Sequence, residues 1–374
     1  MRAAASATRA PAVGRPVAEL ETPAPVVDLD LLERNLARAA EYARDHGLEL
    51  YPHSKTHKTR EIAELQLAAG AAGLTTAKST EAEIFAGVLG APLVLHYPVV
   101  GVGKVARVAE VAGMVPLTMA LDSAAAAAPI AEALRARGTE AEALVELDVG
   151  LARTGLDPER ALELARAIDA FGGGLRFAGL SCYPGHLRHT EATVAAGISE
   201  VGAALERARA LLEEAGLDCR RISGGSTATL FHSHETPVSE IRPGNYALLD
   251  RHEARGEFEL GDCALRVHTT VVSTTVPGRF IVDAGAKTLS EAGPPPAATG
   301  YAEIVGRDGL EIELLSEEHG HGVAGSGEVP AVGERLELIP NHACTCVNLH
   351  DVLYLARDGI VEAEMAVVAR GAVR

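Results

Sequence analysis

Eight short apolar runs lie between residues 48 and 245, and each is followed by a helical stretch. The runs start at Leu48 (LELYPH), Gly73 (GLTTA), Pro92 (PLVLHYP), Pro116 (PLTMAL), Glu142 (EALVELDV), Leu175 (LRFAGLSCYPG), Cys219 (CRRISGG) and Val238 (VSEIRPG). Helices are expected over 57–69, 79–89, 102–112, 123–137, 158–171 and 190–215, each long enough to cross between parallel strands. Eight strand–helix repeats are what a (β/α)8 barrel needs. Upstream, residues 23–30 read as a short strand and a helix start, with Asp30 as N-cap of an amphipathic helix running to Gly47. After Asp250 the helical pattern stops. Alternating strands follow (LRVHTTVVSTTV, RFIVDAG, YAEIVG, LEIELLSEEHG, RLELIP, VLYLAR, IVEAEMAVVA), with tight turns at Arg307-Asp308-Gly309 and Arg357-Asp358-Gly359. The expected fold is therefore α/β: a TIM-like (β/α)8 barrel over 23–255 and a C-terminal antiparallel β domain over 256–374, which the tail at 1–22 joins.

The chain has 374 residues and a net charge of −17, which argues against nucleic acid or an anionic membrane as partner. No apolar segment reaches membrane-spanning length. Residues 1–20 carry Arg2, Arg9 and Arg15 among alanines, but without an apolar core they read as a loose tail rather than a targeting peptide. Five cysteines in a chain of this length do not form a disulfide framework, so a reducing cytoplasm is expected.

Barrel active sites lie at the carboxyl ends of the strands, with phosphate often bound after strands seven and eight. The first run leads into Pro52-His53-Ser54-Lys55-Thr56-His57-Lys58. The seventh ends in Ser223-Gly224-Gly225-Ser226-Thr227, and the eighth in Arg242-Pro243-Gly244-Asn245-Tyr246. A lysine amine facing a phosphate cup points to pyridoxal 5'-phosphate held as a Schiff base on Lys55, with Ser223, Gly224, Gly225, Gly244, Asn245 and Tyr246 around the phosphate. A lone loop lysine or a glycine pair would otherwise be surface and turn. After strand five, Arg153 is either a donor to the pyridoxal phenolate or a surface arginine. After strand six, Tyr183 can meet the pyridine ring, and His186 or His189 is a general base or plain surface. In Pro340-Asn341-His342-Ala343-Cys344-Thr345-Cys346, extended backbone would point His342 and Cys344 the same way. Imidazole with thiolate suits a divalent ion, zinc before manganese or magnesium, with open positions for water or substrate. A buried cysteine beside a loop histidine is the plainer alternative.

Together these segments resemble the fold-type III, alanine racemase-like pyridoxal enzymes, in the branch of D-threonine aldolase and D-serine dehydratase. The resemblance runs from Thr22-Pro23-Ala24 to Gly371 and includes Arg153-Thr154-Gly155 and Glu318-His319-Gly320. It implies a lyase acting on a small D-β-hydroxy-α-amino acid, and a homodimer. Tyr183 with His189 six residues on matches the aldolase pattern, where the histidine deprotonates the β-hydroxyl. The pair His342 and Cys344 matches the dehydratase pattern, since the aldolases usually carry aspartate at the second position. Retro-aldol cleavage to glycine and an aldehyde is the leading reading. Dehydration of D-serine to pyruvate and ammonia is the alternative. A racemase, which needs no metal, and a non-catalytic pyridoxal-binding protein, which resembles a lone barrel, fit less well.

Overall fold

The computed structural model describes residues 11–188 and 191–374. The first strand and first α-helix of the described residues are β1 (Ala24–Asp28) and α1 (Leu29–Asp45). The barrel repeats follow as β2 (Glu49–Leu50), α2 (Arg60–Ala68), β3 (Leu74–Thr76), α3 (Ser79–Leu89), β4 (Leu93–Leu95), α4 (Val102–Val111), β5 (Leu117–Leu121), α5 (Ala124–Arg137), β6 (Ala141–Leu147), α6 (Ala161–Phe171), β7 (Leu175–Cys182), α7 (Glu191–Glu214), β8 (Ile222–Gly224) and β9 (Glu240–Ile241). β2 to β9 form one parallel sheet, in the order β2-β9-β8-β7-β6-β5-β4-β3. It closes on itself between β2 and β3. Ala72 N–H donates to Leu50 O (2.9 Å), Thr75 N–H to Pro52 O (2.8 Å) and Ser54 N–H to Thr75 O (2.8 Å). The strands are short and almost continuously buried, which is why they read as apolar runs rather than alternating ones.

Two local expectations change. The seventh crossover holds no α-helix, only a 3-10 segment at Leu230–Glu235. The helical layer is completed from the front of the chain: α1 packs on β2, on α2 and on the short turn Asn245–Ala247. The N-cap of α1 is Asp28, whose side chain accepts from Leu31 N–H at 3.0 Å, and not Asp30. Asp30 lies in the first helical turn and pairs instead with Arg357.

A second sheet holds β10 (Leu265–Ser273), β11 (Arg279–Val282), β12 (Ala302–Ile304), β13 (Leu310–Leu315), β14 (Gly320–Ala324), β15 (Arg335–Pro340), β16 (Val352–Arg357) and β17 (Ile360–Ala366). Two short helices interrupt it, α8 (Ala286–Leu289) and α9 (Ala343–Val347). The pairings are antiparallel except one. β1 inserts between β10 and β16, antiparallel to the first (Val26 opposite Arg266) and parallel to the second (Val26 opposite Tyr354). So β1 is hydrogen-bonded into this sheet although it lies on the barrel side of residue 22. The run LEIELLSEEHG is not one strand. β13 stops at Leu315, the chain turns, and the glycine-rich β14 starts at Gly320.

Candidate active site

The carboxyl ends of the barrel strands and the α9 arm of the second domain enclose one polar cleft. Its first wall is the turn after β2. His53 N–H donates to Pro243 O (2.9 Å), Ser54 is tied to Thr75 O through both N–H and Oγ, and Lys58 N–H closes the turn on Ser54 O (2.9 Å). This pins Lys55 over the barrel mouth, where its Nζ lies 5.9 Å from the centre of the Tyr183 ring. Arg153 approaches the same ring at 4.9 Å, so the residues after β2, β6 and β7 converge. The neighbouring amine, Lys58 Nζ, is buried and engaged by Glu81 Oε1 (3.1 Å) and Asn348 Oδ1 (2.9 Å). Lys55 is therefore the amine free to react in this turn.

Gly225, Ser226 and Thr227 after β8 and Gly244 and Asn245 after β9 form the far wall. Tyr246 N–H donates to Thr227 Oγ1 at 3.1 Å and locks the two turns together. Gly225 has φ +78°, a conformation open mainly to glycine. A Cβ on Gly244 would come within 3.0 Å of His53 Cβ and 3.2 Å of Thr56 Oγ1. Three residues expected at the phosphate do not line the cleft. The hydroxyl of Ser223 is fully buried and accepts a hydrogen bond from Arg242. Gly224 is a strand residue packed against Val238. The Tyr246 ring points into the protein, where Gln66 Nε2 meets its hydroxyl at 3.2 Å.

Below the cleft lies a buried network that the sequence reading did not pick out. His96 Nε2 sits 2.8 Å from Glu146 Oε2 and 3.1 Å from Ser181 Oγ. Burial pushes the Glu146 pKa up, but His96 and Arg242 outweigh it and leave the carboxyl below its usual range. Arg242 is buried with its guanidinium on Cys182 O (2.7 Å), and burial holds its pKa below the usual value. His96 immediately follows β4, so the strand-end rule that picked Lys55 applies to it equally.

The remaining wall comes from the second domain. His342 and Cys344 do adjoin, but not by strand alternation: His342 is the extended N-cap of α9 and Cys344 lies in its first turn. His342 Nδ1 meets Asp250 Oδ2 at 3.0 Å. Burial pulls the His342 pKa down, yet hydrogen bonds with Asp250 and Cys344 overcome this and raise it to about 11. Cys346 is turned away, buried with its Sγ 3.2 Å from Thr288 O. Glu253 also faces the cleft. Burial first, then the Asp250 charge, pushes its carboxyl up to about 7. Among the described residues no group of three or more His, Cys, Asp or Glu is arranged around a common metal position. His189 lies outside the described residues. His186 is exposed and its ring packs against Gly150. No helix of the described residues is long and apolar enough to cross a membrane.

The sequence matches the model "Alanine racemase, N-terminal domain" over residues 27–251 and "Putative serine dehydratase domain" over 264–356. It is 34% identical to D-threonine aldolase of an Arthrobacter species over 96% of this chain and 95% of that protein. It is 32% identical to D-threo-3-hydroxyaspartate dehydratase of Delftia sp. (strain HT23), over 92% of this chain and 96% of the other. Among solved structures, D-threonine aldolase from Filomicrobium marinum superposes with a TM-score of 0.89 at 32% identity, covering 97% of this chain and 99% of that one. A barrel closed by eight parallel strands, a second sheet carrying β1, and a lysine turn facing an α9 arm agree with these matches: the chain belongs to the alanine racemase-like, fold-type III family of pyridoxal phosphate enzymes, in the branch of D-threonine aldolase and D-serine dehydratase.

Proposed function

We propose that this protein is a pyridoxal phosphate- and divalent metal-dependent lyase of D-β-hydroxy-α-amino acids that cleaves its substrate by a retro-aldol reaction. One observation carries the reading. Lys55 and the pair His342–Cys344 come from different domains and open onto the same cleft. The residues fit both groups. For the cofactor there is an amine at Lys55 without a partner among the described residues, an aromatic ring and a guanidinium beside it, and a polar wall at Gly225, Ser226, Thr227, Gly244 and Asn245. For the ion, Asp250 engages His342 Nδ1 and leaves Nε2 as the ligating nitrogen, the carboxylate–histidine arrangement usual at metal sites. Cys344 adds a thiolate, which favours zinc.

Bound there, the cofactor stores the electron pair released at the α-carbon while the ion polarises the β-hydroxyl. Lys55 would carry the cofactor and is the amine of this turn that faces the cleft. Arg153 would donate to the cofactor's phenolate oxygen, and Tyr183 would contact its ring. His189 takes the β-hydroxyl proton, so that D-threonine yields glycine and acetaldehyde. The names of the relatives support both this reaction and its alternative. Dehydration of D-serine to pyruvate and ammonia is favoured by one feature, a cysteine at position 344. The test is incubation of the protein with pyridoxal phosphate and zinc or manganese, with D-threonine and D-serine separately. Glycine plus aldehyde from D-threonine supports the aldolase. Keto acid plus ammonia as the main product overturns it in favour of the dehydratase.

A further inference from the structure

Thr56 is fully buried and lies one residue beyond Lys55. Its hydroxyl is 3.2 Å from Cys344 Sγ, a contact that spans 288 positions of sequence and joins the two domains. We propose that Thr56 is a positioning residue for the metal arm, donating its hydroxyl hydrogen bond to the Cys344 sulfur and so tying ion binding to the turn that presents the cofactor lysine.

Three observations place it there. Lys58, at the end of the same turn, reaches Asn348 Oδ1 (2.9 Å) at the C-terminal end of α9, so the turn grips the helix at both ends. Lys58 does this in a left-handed backbone conformation, φ 53°, which a non-glycine residue adopts only when its surroundings enforce it. Gly244 gives Thr56 its room, since a Cβ there would crowd the hydroxyl at 3.2 Å. The chemistry is directional. A thiolate accepts and does not donate, so with sulfur in its ligating form the threonine must be the donor. A donor aimed at sulfur fixes its orientation.

This role rests on the metal reading above, and the test separates the two. The purified full-length protein is stripped of metal and titrated with Co2+, whose thiolate charge-transfer band reports a cobalt–sulfur bond without any turnover. The wild type is expected to show the band. Thr56→Val, close to isosteric, should bind Co2+ about 10-fold more weakly and shift the band to lower energy. Thr56→Ser should restore both. No band in the wild type overturns the metal reading and this role with it. A wild-type band that Thr56→Val leaves unchanged in position and affinity overturns the role of Thr56 alone. A valine variant and a serine variant that fail equally also overturn it, because the hydroxyl would then not be the operative group.

Discussion

Asp250 holds His342: the two meet at 3.0 Å, Oδ2 to Nδ1, across the boundary between the barrel and the second domain. Asp250 is completely buried, and the same carboxylate also accepts from Asn245 Nδ2 (2.6 Å), Ala343 N–H (2.7 Å), and the N–H groups of His252 and Glu253 (3.0 Å each). It therefore organises a wall turn and the metal arm at once. Asp250→Asn replaces one acceptor oxygen with a donor among donors. Leaving a buried donor unpaired costs about 1–3 kcal/mol, visible as a lower urea midpoint. Metal affinity should fall about 10- to 100-fold. An unchanged midpoint and unchanged affinity would show that the network is not doing this.

Reduction of the holoenzyme with borohydride, followed by peptide mapping, should place the pyridoxyl group on Lys55. Lys58 is the near competitor in sequence, but its amine is buried against Glu81 and Asn348. Lys55→Ala should lose the covalent adduct and about a thousandfold or more in rate. A label on Lys58 would require that ion pair to break and would refute the assignment.

On the proposed mechanism, in which the ion acts on the substrate hydroxyl, dialysis against a chelator should abolish lyase activity while the cofactor's visible band survives. Cys344→Ser should weaken metal binding. Cys346→Ser should leave it intact, since that sulfur faces Thr288 O inside the second domain. Full lyase turnover in a metal-free preparation would refute the metal requirement.

His57 supplies a pH test. It is buried beside Phe85, and burial lowers its pKa from 6.5 to about 4, with hydrogen bonding to Gln66 and Thr59 opposing the shift only in part. The folded chain thus binds fewer protons than the unfolded one between these values, so stability is full above about 6.5 and drains away as pH falls towards about 4. His57→Gln should flatten that acid limb by up to about 1.4 kcal/mol per pH unit. Equal slopes for the two proteins, from urea unfolding at a series of pH values, would contradict this.

Much of the barrel was legible because its evidence is local. Runs such as Leu93–Leu95 and Leu117–Leu121 are buried along their whole length, and the helices between them carry their own periodicity. Lys55, Arg153 and Tyr183 could be picked because strand ends in this fold face the active site. What stayed hidden depends on distant partners. Nothing near Val26 announces that it will pair with Tyr354. Asp250 looks like an ordinary loop acid until Asn245, Ala343 and His342 gather on it. Ser223 looked like a phosphate ligand because its hydroxyl seemed free, whereas Arg242, nineteen positions on, claims it. The α9 helix is only five residues long, too short for a periodic signal, so ACTCV passed for extended chain.

The placement of β1 bears on how this protein can be divided. The chain runs through the second sheet at β1, leaves it to build the barrel, and returns at β10, which pairs with β1. Neither half is a contiguous stretch of sequence. A fragment beginning at β2 would carry off the barrel without α1, and would leave β10 and β16 with raw edges where β1 had joined them. Swapping metal arms between relatives by splicing at residue 250 would therefore transplant an incomplete sheet, and a working chimera would have to take its first 28 residues from the same parent as its last hundred or so.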